Sequence, residues 1–360
     1  MAAAASRTNL LGLDRGQLAA WLGERGEQPY KARQLLRWIH RKHERDFERM
    51  HDLSAKLRAT LAAEATLETP PLTETSVAAD ATRKHLYDVG GGSVEAVWIP
   101  EAKRATLCVS SQAGCALACT FCLTGKQGFA KNLSSAQIMG QYHHALQDAG
   151  TVSNVVFMGM GEPLLNLEQV VPALRLLTDD LACGLSRRRV TVSTAGVVPG
   201  IERLAAEAPV ALAVSLHAPV DELRSELVPL NRRYPLRDLL RACRGYLKAA
   251  PRDFITFEYV LLDRVNDDLA LARDTARLLA KTPGKVNLIP FNPFPGAPYQ
   301  APSRNRVMAF RDELNARGVV ATVRRQRGDD ILAACGQLAG KVAGRVPAAG
   351  RIATPIIPAP

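Results

Sequence analysis

Three cysteines carry the most distinctive chemistry in this chain: Cys115, Cys119 and Cys122, spaced Cys-x3-Cys-x2-Cys. Thiolates are soft ligands suited to iron–sulfur clusters and to zinc. A structural zinc site normally wants four closed ligands, often from two Cys-x2-Cys pairs, and no second pair follows here. Three thiolates on a 4Fe–4S cluster leave one iron without a protein ligand, available to substrate. Cys108 is the nearest candidate for a fourth ligand, but it lies seven residues upstream, inside an expected strand. The spacing points to an open cluster, with zinc as the alternative.

A second constellation follows. Gly159-Met160-Gly161-Glu162-Pro163 succeeds the expected strand Asn154–Met158. Glycines let backbone approach a ligand closely, and carbonyls or Glu162 can accept hydrogen bonds from an ammonium group. Taken alone, the motif is equally an ordinary turn. Ser193, the run Ser215-Leu216-His217, and Asn292 within Pro290-Phe291-Asn292-Pro293 fall at expected strand ends. Cys335 and Cys108, as isolated cysteines, read as buried packing, and so do Cys183 and Cys243. Glu95 reads as a solvent-facing strand residue.

These residues need a scaffold. From Leu10 to about Glu64, Leu18, Trp21, Leu22, Leu35, Leu36, Trp38 and Ile39 recur at helical spacing. Lys31, Arg33, Arg37, Arg41, Lys42 and Arg45 sit among them, predicting a small helical domain with a basic face. His85–Val89 and Val94–Ile99 flank three glycines and predict a hairpin. From about Arg104, β-rich runs alternate with helical stretches. The expected strands are Ala105–Ser110, Asn154–Met158, Arg189–Thr194, Val210–Leu216, Phe254–Leu262, Lys285–Pro290 and Val319–Val323. One helix opens at Ser134 and Gln137, at capping-box spacing. Repeated βα units imply a parallel sheet with its site at the strands' carboxyl ends. Periodicity leaves a full barrel, a partial barrel and a doubly wound sheet all open. The expected division is 8–65 helical accessory domain, 66–100 connecting hairpin, 101–340 core and 341–360 disordered tail.

With Phe121 directly before Cys122, the cysteine motif resembles the signature of the radical S-adenosylmethionine (SAM) superfamily. The resemblance implies an α/β fold with a partial (β/α)6 barrel. It also implies a 4Fe–4S cluster on Cys115, Cys119 and Cys122, whose open iron binds the amino and carboxylate groups of SAM. Gly161 and Glu162 then match the loop that binds the SAM amine, while Ser193, Ser215, Leu216, His217 and Asn292 match SAM-contacting positions. The strings Ala105–Gln112 around Cys108 and Gly328–Leu338 around Cys335 closely resemble the RlmN-type adenine methyltransferases of the RlmN/Cfr family. This implies formation of 2-methyladenosine in 23S rRNA and in tRNA anticodon loops. In that family's route Cys335 takes a methyl group from SAM, the S-methyl carbon becomes attached to RNA, Glu95 acts as the base, and Cys108 resolves the covalent adduct by forming a disulfide. The detour has a chemical reason: the SAM methyl is electrophilic and adenine carbon 2 is electron-poor, so direct transfer is mismatched.

Composition agrees. The formal net charge of +11 and pI near 9.5 suit a polyanionic partner, and Arg187, Arg188, Arg189, Arg232, Arg233, Arg324, Arg325 and Arg327 are candidates to grip phosphates. No apolar run approaches a membrane span, and seven unevenly spread cysteines suit a reducing cytoplasm better than a disulfide framework. A monomer that takes electrons from an external donor such as flavodoxin is expected. Methylation at adenine carbon 8, as in Cfr-type enzymes, is the near alternative. A zinc-stabilised RNA-binding protein without catalysis is the distant one, and a radical SAM activase of a glycyl protein leaves Cys108, Cys335 and the basic head unexplained.

Overall fold

The structure is a computed structural model that describes residues 7–340; the tail expected at 341–360 lies outside the described residues. The head is helical, as its periodicity predicts. Helices Arg15–Gly23, Tyr30–Leu36 and Ala55–Glu64 bury Leu18, Trp21, Leu22, Leu35, Leu36, Leu57 and Leu61. Asp14 and Gln17 form a capping box on the first. The second runs into a wider π-turn, Arg37–Arg41. Thr8–Asn9 pairs in parallel with Ala65–Thr66, so the two ends of the head are tied together.

Ten strands form one sheet in which neighbours in space are neighbours in sequence. They are β1 (Leu72–Val77), β2 (Arg83–Asp88), β3 (Ser93–Glu101), β4 (Arg104–Cys108), β5 (Asn154–Phe157), β6 (Val190–Thr194), β7 (Ala211–Ser215), β8 (Ile255–Leu261), β9 (Gly284–Pro290) and β10 (Ala321–Val323). From β4 to β10 every pairing is parallel. Parallel neighbours need crossovers, and helices Ser135–Ala149, Leu167–Thr178, Val198–Glu207, Leu236–Tyr246, Leu269–Leu279 and Arg304–Ala316 lie in the six connections. All seven expected core strands are present, their ends shifted by one or two residues. The seventh, β10, is only three residues long and closes a run of six βα units.

The expected hairpin is also present, with Asp88 opposite Ser93 and Arg83 opposite Trp98. It does not stand apart from the core. Strand β3 pairs antiparallel with β4, placing Val97 opposite Cys108, and β1 adds beyond β2. Glu95, read in isolation as solvent-facing, is therefore in a central strand and buried.

Candidate active site

Seven flat parallel strands would span about 29 Å between the first and the last. Yet residues following β4, β5, β6, β7, β9 and β10, together with residues of β8, line one cavity of about 1020 Å³ up to its open mouth. The sheet is curled into a partial barrel, and its carboxyl ends converge.

The cysteine loop enters that cavity from beyond β4. It is framed by a small antiparallel pair, Gln112–Gly114 with Phe129–Asn132, and the Cys115 N–H donates to Gly128 O at 2.8 Å. Ala118 adopts a left-handed backbone (φ 54°), which turns the chain between Cys115 and Cys119. Cys115, Cys119 and Cys122 all line the cavity. Burial pushes the Cys115 thiol up to about 12, and those of Cys119 and Cys122 upward too, so without a metal these thiols keep their protons. Metal binding ionises such ligands and offsets that penalty. Among the described residues no group of three or more Cys, His, Asp or Glu is arranged around a single ion. A cluster, which gives each thiolate its own iron, fits a row of three buried thiols on one wall.

The glycine motif is constrained first by its own chain. A Cβ on Gly159 would stand 2.6 Å from Ser110 Oγ and 2.7 Å from Val109 O, and one on Gly161, at φ +94°, would stand 2.4 Å from Gln112 Cβ. Both glycines and Glu162 line the cavity. The carboxylate of Glu162 is engaged, accepting from Leu164 N at 3.1 Å and Ala195 N at 2.8 Å. Burial nevertheless raises it to about 7. It joins the end of β6 to the end of β5.

Ser193, Ser215, His217 and Asn292 also line the cavity; Leu216 is fully buried behind it and participates through its backbone. His217 Nδ1 accepts from Val260 N at 3.0 Å, so the ring proton belongs on Nε2. Burial lowers this imidazole to about 3, and its ring meets Phe121 edge-on at 4.6 Å. A neutral donor thus stands beside the cysteine loop.

Behind these strand ends is a residue that sequence reasoning missed. Arg224 is fully buried and donates to Leu216 O, Ser215 O, Ala195 O and Asn231 Oδ1 at 2.7–3.0 Å. Burial lowers it to about 10. It sits mid-helix among charged neighbours, with no sequence signal separating it from a surface arginine.

Cys335 arrives from the far side. Its segment is docked at several points: Leu123 N donates to Gly336 O at 2.8 Å, Thr124 Oγ1 to Leu338 O at 2.7 Å, Gln337 Nε2 to Pro293 O at 2.8 Å, and Asn292 Nδ2 to Cys335 O at 3.2 Å. Cys335 lines the cavity with the three loop cysteines. Cys108 lies behind the wall, buried, its thiol pushed up to about 12 by burial and by the neighbouring Cys335. Glu95 does not line the cavity; it binds Lys84 Nζ at 3.1 Å and accepts from Ala339 N at 2.8 Å. Arg324, expected among the phosphate-gripping arginines, instead donates to Cys335 Sγ. Cys243 is buried in the core.

The sequence of residues 8–67 matches the family model "Ribosomal RNA large subunit methyltransferase N-terminal domain", and residues 109–274 match the Radical SAM superfamily. A radical SAM methyltransferase from Sphaerobacter thermophilus is similar over 92% of this chain and 99% of its own, at 45% identity and a TM-score of 0.85. This chain belongs to the RlmN-type radical SAM methyltransferases. Its cofactors are accordingly a 4Fe–4S cluster and SAM, and its reaction is radical-based methylation of RNA. Other solved structures are less similar. A domain of pyruvate-formate lyase-activating enzyme from Bacteroides vulgatus ATCC 8482 shares 20% identity over 48% of this chain and 99% of that one (TM-score 0.38). Streptococcus suis SuiB shares 13% over 61% of this chain and 48% of its own (TM-score 0.44). Neither adds to the assignment. Membership in the RlmN-type family sets aside the zinc-stabilised module without catalysis. No helix among the described residues is long and apolar enough to cross a membrane.

Proposed function

We propose that this enzyme makes 2-methyladenosine in 23S rRNA and in tRNA anticodon loops, by way of an S-methylated Cys335 and a covalent RNA adduct that Cys108 resolves. One observation carries the proposal: Cys335 lines the same cavity as Cys115, Cys119 and Cys122, with Cys108 in its electrostatic reach. A thiol needed only for packing has no reason to be held at a cluster wall by four separate hydrogen bonds.

Cys115, Cys119 and Cys122 would hold the cluster. Gly161, Glu162, Ser193, Ser215, Leu216, His217 and Asn292 would surround SAM, with loop carbonyls and hydroxyls as acceptors for its ammonium group and Nε2 of His217 as a donor. When bound, the cluster and SAM supply a methyl group and a 5′-deoxyadenosyl radical. The chain supplies the rest. Cys335 as thiolate accepts the methyl group, and its docked segment keeps the sulfur facing the cavity. Glu95 takes the proton from adenine carbon 2 once Ala339 releases its carboxylate. Cys108 attacks the Cys335 sulfur, so that an S–S bond forms as the bond to the RNA-linked carbon breaks. Residues 8–65 form an RNA-binding head on the 101–340 core, joined through 66–100. An external reductant such as flavodoxin, a monomeric state and a cytoplasmic setting complete the proposal.

The test uses anaerobically reconstituted protein, SAM, reductant and unmodified rRNA and tRNA fragments. Nucleoside chromatography with mass spectrometry should find 2-methyladenosine; 8-methyladenosine would instead establish the Cfr-type outcome. Cys335→Ala should give no product, and Cys108→Ala should accumulate protein-linked RNA. Free methylated RNA made by Cys335→Ala at the wild-type rate would refute the relay.

A further inference from the structure

The cavity holds one cation that the proposed route leaves unused. Arg324 directly follows β10, and its backbone N–H donates to Leu288 O at 2.8 Å, which fixes it at the edge of the barrel. Its Nη1 donates to Cys335 Sγ at 3.0 Å. Both residues line the cavity, as does Glu258. Glu258 and Cys108 also act electrostatically on Arg324, and Cys122 faces Cys335 from the cysteine loop. Glu258 is a weak counter-charge: it is buried, with a single hydrogen bond from Asn287 Nδ2 at 2.8 Å, and burial raises its carboxyl. A guanidinium cannot shed its proton. Arg324 is therefore a fixed positive charge set among one carboxyl and two thiols.

We propose that Arg324 is a positioning residue that serves both thiols in turn, pairing with Cys335 while that sulfur is a thiolate and with Cys108 once Cys335 is methylated. The inference rests on the roles assigned above to these two cysteines. When Cys335 is methylated, a bond forms from its sulfur to the methyl carbon as the carbon–sulfonium bond breaks, and the bonding pair leaves on the former sulfonium sulfur. The thiol proton has gone to solvent on ionisation. Thiolate and sulfonium charges vanish together, and the thioether that remains is only a weak acceptor. Arg324 is left without its anion, and Cys108 is the other thiol it acts on. The exchange sets an order: Cys108 becomes nucleophilic only after Cys335 has been loaded, which suppresses a premature disulfide.

The experiment follows alkylation of single cysteines by iodoacetamide near neutral pH, read by peptide mass spectrometry on the full-length, cluster-loaded protein without RNA. Arg324→Gln should slow Cys335 alkylation about tenfold, as expected for loss of a charge-assisted hydrogen bond, with the cluster absorbance retained. Arg324→Lys should restore the rate to within about threefold of wild type. Independently of any Arg324 variant, Cys108 should react about tenfold faster in Cys335→Ser, which frees the guanidinium, than in Cys335→Asp, which keeps it engaged. Equal Cys108 rates in those two variants overturn the assignment, and so does wild-type Cys335 reactivity in Arg324→Gln. RNA methylation, scored in parallel, separates the two proposals. Product from Cys335→Ala sinks the relay, whereas unchanged alkylation with a working relay sinks only the role of Arg324.

Discussion

The amide of Ala339 donates to the Glu95 carboxylate at 2.8 Å, so the segment that presents Cys335 also covers the proposed base. Lys84 holds the other carboxylate oxygen. Access of RNA to Glu95 then requires the stretch around Ala339 to lift while Cys335 stays near the cavity. Glu95→Gln keeps the size and both contacts but cannot take a proton. It should lower RNA methylation about 100-fold or more while leaving S-methylation of Cys335, measured by intact mass, near the wild-type level. Equal losses in both steps would assign Glu95 a structural role.

Arg224 is the clamp beneath the strand ends. Its replacement by Met leaves three backbone carbonyls and the Asn231 amide oxygen without their buried donor. A loss of about 3 kcal/mol or more is expected, read as a lowered urea midpoint. Arg224→Lys should recover little of it, because one ammonium cannot span acceptors on β7 and beyond β6.

Three histidines join the head to the core. His40 Nδ1 lies 3.1 Å from His143 Nε2, and His43 Nδ1 lies 3.2 Å from His143 Nδ1. Burial lowers all three, His40 to about 3, with Arg45 pressing the same way. A histidine held neutral in the folded state binds fewer protons than in the unfolded chain, so stability rises with pH in this window. It should be complete above about pH 6.5 and fall below that by up to about 1.4 kcal/mol per pH unit for each fully neutral ring. Melting followed by tryptophan fluorescence between about pH 5 and 8 checks this; His143→Gln should flatten the slope.

Gly159→Ala pushes a methyl group onto Ser110 Oγ and Val109 O. The expected result is about 2 kcal/mol of destabilisation together with weaker SAM binding by equilibrium dialysis, since the loop must move off β4. Gly150→Ala, at a helix end with open space, pays for its left-handed backbone (φ 74°) alone and should leave SAM binding unchanged.

Local pattern was sufficient for much of this protein. The strands of the core, the helix capped by Ser134 and the hairpin around Gly90-Gly91-Gly92 were all legible, because hydrophobic period and turn chemistry are properties of short stretches. The three-cysteine spacing was legible for the same reason: its ligands lie within eight residues. What sequence alone left open was curvature, and with it which strand ends share a cavity. Arg224 and Arg324 looked like surface cations until the curled sheet enclosed one and set the other against Cys335. Glu95 looked exposed until β3 joined β4 in a continuous sheet. A residue's neighbours along the chain determine its backbone, but burial and charge partners come from segments hundreds of residues away, such as Ala339 over Glu95, and only the folded barrel brings those together.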